Sequence, residues 1–261
     1  YGRVSLRGIM PLSWNLDHAG PMTRSVLDAG MMLNVMAGYD ADDPTTVNVP
    51  LQNYADITET SLKGVRIALA EEGYMDFAHP DVAKAVRQSA SVFKDLGATV
   101  ESVDFNWLTE AARANGLMTP ADGAAYHHER MNATPEVYGE DVLRRLQTGA
   151  AYTSTEYARA RRTQTETKRR MALFFEKYDL LILPSTAVTA PPIEGPDAVE
   201  QAKLLTRFTA PFNLTGLPAL SLPCETDSNG LPIGLQIVGP AWHEKQVLEA
   251  GYAYEKAQKQ R

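Results

Sequence analysis

The sequence has one cysteine, Cys224, so no disulfide forms within the chain and its stability must come from packing. It has no excess of basic residues: 25 Lys+Arg stand against 32 Asp+Glu, a net charge of −7. That balance argues against nucleic acid as a partner, because phosphate binding needs a basic face. No apolar run approaches the roughly 20 residues that span a bilayer, so no membrane partner is expected, and no secretory leader is read at the start. A reducing, cytoplasmic setting is the expectation. Also missing are a Gly-x-Ser-x-Gly elbow, a P-loop and a dinucleotide fingerprint, so no cofactor is expected. What remains is ordinary for a globular protein, with 44% hydrophobic and 22% charged residues in a chain of 261. A chain this long can bury a large core in one continuous domain.

The pattern of that composition points to an α/β fold. Thr23 to Met36 carries apolar residues at helical spacing after a Gly- and Pro-punctuated start. Val65–Ala70 reads as a buried strand, 81–96 as a helix stopped by Gly97, and Thr99–Val103 as a second strand. Strand, helix and strand in about forty residues make a βαβ unit with parallel pairing. Residues 106–178 read as mostly helical, and Thr153-Ser-Thr-Glu156 is a capping box ahead of a long, Arg-rich helix. Leu180–Leu183 reads as a buried strand and 184–196 as a proline-rich loop. Residues 219–223 and 233–238 flank the turn signature Asp227-Ser-Asn-Gly230, and 244–258 closes as an amphipathic helix.

Residue chemistry alone shows no complete catalytic constellation. His127 and His128 are adjacent, so on a helix they point about 100° apart and do not make an i, i+4 metal pair. No metal site is expected. His79 and His243 precede helix starts, where a turn role is expected. Ser13, Asp17 and His18 are near in sequence, but a triad is defined by spatial geometry. Cys224 follows an apolar strand and reads as a buried, inert thiol.

Several blocks nevertheless occur together. They are Tyr1-Gly-Arg-Val-Ser5, Pro11-Leu-Ser-Trp-Asn-Leu-Asp-His18, Tyr178-Asp-Leu-Leu-Ile-Leu-Pro184, Phe208-Thr-Ala-Pro-Phe-Asn-Leu-Thr-Gly-Leu-Pro218 and Gly230-Leu-Pro-Ile-Gly-Leu-Gln-Ile-Val-Gly239. In this order they resemble the amidase signature family. The resemblance implies a mixed β-sheet sandwiched between helices and hydrolysis of a small-molecule amide by a Ser–cis-Ser–Lys triad. In the family the lysine and bridging serine activate the nucleophile through hydrogen bonds. A glycine-rich segment donates to the tetrahedral oxyanion. All these parts lie upstream of the Tyr-Gly-Arg-Val-Ser block. Ser5, Ser13 and Ser25 therefore do not match the nucleophile, and no lysine occurs before Lys63. The expectation is that residues 1–261 are the C-terminal part of a single amidase domain, inactive alone. Its partner would be the missing N-terminal part of the same enzyme, and a homodimer is compatible with the composition.

The family also includes the glutamine-hydrolysing subunit of a tRNA-dependent glutamyl-tRNA(Gln) amidotransferase. There, an aspartate before the Pro-x-Asn-Leu block and an arginine on the long helix hold the charged groups of the substrate. Counting back from Pro211 puts the aspartate position at Thr206, and counting back from Tyr178 puts the arginine position at Gln164. Both positions are neutral here, although Arg161, Arg162 and Arg207 lie near. The resemblance thus favours a free-standing amidase for a neutral or aromatic amide over a glutaminase subunit. The third reading is a non-catalytic protein that serves in assembly. Gln164 and Thr206 become candidate substrate-binding residues, as do Trp14 and Asp17 from the block after the nucleophile loop. The alternative for Trp14 and Asp17 is that they pin that loop by packing and hydrogen bonding. For Gln164 and Thr206 it is an ordinary helix position.

Overall fold

The computed structural model describes residues 1–58, 61–193 and 204–259. Its centre is a five-stranded mixed sheet of β1 (Arg66–Ala70), β2 (Thr99–Val103), β3 (Leu180–Pro184), β4 (Ala219–Thr226) and β5 (Pro232–Val238), in the order β2-β1-β3-β5-β4. The strands β2, β1 and β3 are parallel, whereas β3–β5 and β5–β4 are antiparallel. The described helices are α1 (Val26–Met36), α2 (Pro80–Asp95), α3 (Thr109–Tyr126), α4 (His128–Ala133), α5 (Glu140–Ala150), α6 (Ser154–Phe174), α7 (Ala210–Thr215) and α8 (Glu244–Gln258). This is the expected α/β class, a mixed sheet between helix layers.

Strand alternation sorts the core into two layers. On one face Ile67, Leu69, Leu180, Ile182, Leu235 and Ile237 pack under α2 and α8 with Val86, Phe93 and Tyr254. On the other, Ala68, Ala70, Leu181, Leu183 and Val238 pack under α3, α6 and α7 with Met118, Met171, Phe208 and Phe212. Every residue of β3 is buried, which explains its unbroken apolar run.

Local signals set the helix ends. The expected helix at Thr23 starts instead at Val26, because the Ser25 side chain accepts the Asp28 N–H at 3.2 Å and acts as its cap. Thr153 and Glu156 form both arms of the capping box that opens α6. His79 caps α2, accepting the Asp81 N–H, and His243 stands at the N-cap of α8. The helical stretch 106–178 divides into four α-helices and two single-turn 3-10 helices, Asn106–Leu108 and Pro135–Val137, and α3 carries Pro120 in its interior. Gly149 of α5 lies so close to Pro120 that a Cβ there would sit 1.9 Å from the Pro120 carbonyl oxygen. The loop expected over 184–196 starts one residue later, because Pro184 ends β3; residues 185–193 hold no regular element, and the last three residues lie outside the described ones.

The sheet edges are β2 and β4. Next to β4, α1 is apolar on nearly every side, and Val35 stays 88% exposed, Met31 53% and Met32 44%. A helix that is hydrophobic all round is ordinarily covered all round.

Asp179 joins the parallel pair at its start. Its carboxylate accepts the Arg66 backbone N–H at 2.8 Å and the Arg66 guanidinium at 2.9 and 3.2 Å. The Arg66 hydrogen bonds hold the Asp179 carboxyl below its usual range, against the opposing effect of burial. Asp179→Asn should cost about 1–3 kcal/mol in denaturant unfolding at neutral pH. Because the folded pKa lies below the unfolded one, this stabilisation is complete above about pH 4 and is lost as pH falls through the folded value. The unfolding curves of wild type and variant should therefore converge in acid, and a gap unchanged by pH would contradict this assignment.

Candidate active-site region

The segment 12–17 is a short loop pinned at both ends. Asp17 accepts the Leu12 N–H at 2.8 Å and the Ser13 N–H at 3.1 Å, closing the loop on itself. Ser13, itself buried, donates its hydroxyl to Asp122 of α3 at 2.5 Å. Asn15 donates its amide to Asp122 at 3.1 Å and to the Tyr157 oxygen of α6 at 3.2 Å, and Tyr157 donates to Asp122 at 2.6 Å. Burial, then the bond to Asp122 and its charge, push the Tyr157 phenol up to about 12. The Arg161 guanidinium donates to Asn15 at 2.8 Å and to Gln164 at 2.6 Å, and Gln164 donates to the Leu214 carbonyl of α7 at 2.9 Å. One polar chain thus ties the loop to three helices.

Each expected site residue has a definite place. Trp14 is about half exposed, and its ring meets Tyr126 of α3 edge-on at 6.1 Å. Trp14 and Asp17 border one cleft of about 240 Å³, with Ile9, Pro11 and Asp43 also lining it. Gln164 is 3% exposed and spends both ends of its amide on protein partners, so it is an internal brace of the chain just described. Thr206 is exposed at the end of the helical residues 204–206 ahead of α7, where its carbonyl accepts the Thr209 N–H and hydroxyl. None of the bonds from Asp17 to Leu214 reaches it. The neighbouring arginines diverge: Arg161 belongs to the network, Arg162 pairs with Glu166, and Arg207 stacks on the Phe77 ring at 3.7 Å.

Sequence reasoning passed over Asp122, Tyr157 and Asn15. A signal for Asp122 exists: Ala111, Ala114, Met118 and Asp122 follow one another at helical spacing on the buried stripe of α3, so an acid occupies a core position. Gln164 shows the same signature between Ala160, Thr167 and Met171 on α6.

Ser185 and Ser221 share a hydrogen bond at 2.6 Å. No group of three or more His, Cys, Asp or Glu among the described residues holds a metal-binding arrangement, and no described helix is long and apolar enough to cross a membrane. His127 instead shares a hydrogen bond with the Tyr138 hydroxyl at 3.0 Å.

Comparison with known proteins places the chain. The sequence profile of the amidase family matches residues 1–248. An amidase from Pseudomonas putida is 37% identical over 98% of this chain and 56% of its own length. A glutamyl-tRNA(Gln) amidotransferase subunit from Halothermothrix orenii is 33% identical over 98% of this chain and 59% of its own. Among solved structures, the corresponding amidotransferase subunit from Thermotoga maritima superimposes with a TM-score of 0.84 at 29% identity, covering 98% of this chain and 56% of that one. A vestigial protein complex bearing on the origins of an s-triazine catabolic enzyme gives 0.89 at 26% identity, covering 98% and 57%. The chain belongs to the amidase signature family. It spans little more than half the length of these relatives.

Cys224 is 8% exposed, and burial pushes its thiol up to about 11, so thiolate is scarce at neutral pH. Native protein should resist thiol-labelling reagents and react stoichiometrically once unfolded. Rapid labelling of the folded chain would show that the thiol is accessible after all.

Proposed function

We propose that the protein containing this chain is an amidohydrolase that cleaves a C–N amide bond to a carboxylic acid plus ammonia or an amine. Residues 1–261 are read as the C-terminal part of its domain. The observation that carries this reading is the continuous match of nearly the whole chain to an amidase of which it covers 56%. The triad of the family, a lysine, a bridging serine and a nucleophilic serine, then belongs to the N-terminal part, which is the partner of this chain. There the nucleophile would attack the amide carbonyl, its proton passing through the bridging serine to the departing nitrogen, and water would release the acid. Among the described residues the apolar side of α1 is uncovered and the outer edge of β4 unpaired, and together they offer a surface for that part. A single unpaired thiol fits a cytoplasmic location.

The substrate is read as a neutral or aromatic amide. Free glutamine carries both an ammonium and a carboxylate, and recognition of each calls for an ion pair. Gln164 and Thr206 provide neither charge, and the Gln164 amide is already engaged. The relatives named for the glutamyl-tRNA(Gln) amidotransferase favour the second reading, a glutaminase of a tRNA-dependent amidotransferase. In either reading Gln164 and Thr206 are the candidates for the acyl or leaving-group side, and the block carrying Trp14 and Asp17 lies near the site, where the two border the cleft of about 240 Å³.

Acid and ammonia release from an aromatic amide and from glutamine distinguishes these readings. The full-length gene product should hydrolyse the aromatic amide in preference to glutamine, and the 261-residue chain alone should hydrolyse neither. Hydrolysis by the isolated chain would overturn the assignment of the triad to the missing part. Thr206→Asp in the full-length enzyme should shift preference toward amides bearing an ammonium group, whereas identical kinetics across the amide panel would remove Thr206 from the site.

A further inference from the structure

We infer that Asp122 is a positioning residue of the amide site: from the core it fixes the 12–17 segment and, through Asn15, aims the Arg161 guanidinium. The inference rests on the amidase reading, which places this segment beside the substrate.

Asp122 is 4% exposed, and its two oxygens accept from three neutral groups, the Ser13 hydroxyl, the Asn15 amide and the Tyr157 hydroxyl. Burying a carboxyl group among neutral partners is a poor way to add stability, because an apolar side chain of that size packs without desolvation cost. What the carboxyl does provide is direction. Three donors from two separate elements converge on it, and each fixes one part of the loop or of α6.

The surrounding backbone is shaped for this contact. A Cβ on Gly123 would lie 3.3 Å from the Leu12 carbonyl, so the glycine lets the loop rest directly against α3. One turn beyond Asp122, Tyr126 receives the Trp14 ring. The loop is thus gripped by a hydrogen-bonded hub and by a ring contact four residues apart on one helix face. Beyond the hub, Asn15 turns its amide donors to Asp122 and Tyr157 and its oxygen to Arg161. Reversing that amide would break all three bonds, so the orientation of Asn15, and with it the position of the guanidinium, is set by Asp122. Gln164 holds the same guanidinium nitrogen from the other side.

Two measurements test this. In the full-length enzyme, Asp122→Ala should raise KM for an aromatic amide about tenfold with kcat within about threefold, since loosened positioning weakens substrate placement more than it changes chemistry remote from the loop. Asp122→Asn, which keeps the shape and can still satisfy hydroxyl partners that rotate, should restore KM to within about threefold of wild type. Tyr157→Phe should move KM in the same direction, and adding it to Asp122→Ala should cause little further loss, because the two act as one unit. An unchanged KM in folded Asp122→Ala, or an Asp122→Asn enzyme as impaired as Asp122→Ala, would overturn the inference.

The second measurement needs no turnover. In the full-length protein, Tyr157→Phe and Ser13→Ala should shift the Trp14 indole and Arg161 side-chain N–H resonances while distant signals stay in place. If those resonances do not move, Asp122 is not a positioning hub, whatever the enzyme cleaves. If they move while the wild-type full-length protein hydrolyses no amide, the hub stands and the amidase reading fails.

Discussion

The strand Leu180–Pro184 has no face toward water, and both halves of the molecule are built on it. Its even-numbered side chains complete one core layer and its odd-numbered ones the other, so neither layer can form without it. It is also where the sheet changes sense, parallel toward β1 and antiparallel toward β5. A strand in that position must be apolar at every residue, and Asp179, just before it, supplies the charge that anchors it to Arg66.

Two polar residues of this core join separate elements. Asp122 and Gln164 each occupy a position on a buried helical stripe; Asp122 accepts from two other segments, and Gln164 links Arg161 of its own helix to Leu214 of α7. Such residues add little net stability compared with apolar replacements, but they select one arrangement of the groups that surround them. Their effect is felt at the loop 12–17, which has no regular structure of its own and takes its shape from Asp17 on one side and α3 on the other. The same helix that carries Gln164 sends Arg162 to an exposed ion pair with Glu166 and Arg170 over the Trp107 ring. The Arg-rich composition of α6 therefore reflects several separate local contacts.

The fold was legible wherever a local signal coincided with burial. The βαβ unit, the capping box, the turn at Asp227–Gly230 and the apolar run of β3 all rest on residues close in sequence. The strand order was less accessible, because pairing of β1 with β3 and of β5 with β4 depends on contacts between distant segments. The site was legible only in outline. Family blocks led to Trp14, Asp17, Gln164 and Thr206, and the structure ties Gln164 to the first two through Arg161 and Asn15 but leaves Thr206 exposed at a helix end. Counting along a helix gives a position but not the direction of a side chain, so it could not show that Gln164 faces Leu214. Asp122 escaped notice for a related reason: an acid inside an apolar stripe looks like a break in a pattern until its three donors are seen around it.

The pairing of Ile67 with Leu180 spans more than a hundred residues of intervening chain, most of them in α2, β2 and the α3–α6 layer. Closing a loop of that length is entropically costly and rewards the chain only after both ends have emerged. The βαβ unit must therefore wait, with the inner edge of β1 open, until β3 arrives to cover it. During synthesis that interval is set by the time needed to translate the helices between them, and an exposed strand edge in a half-made chain is the kind of surface that chaperones recognise.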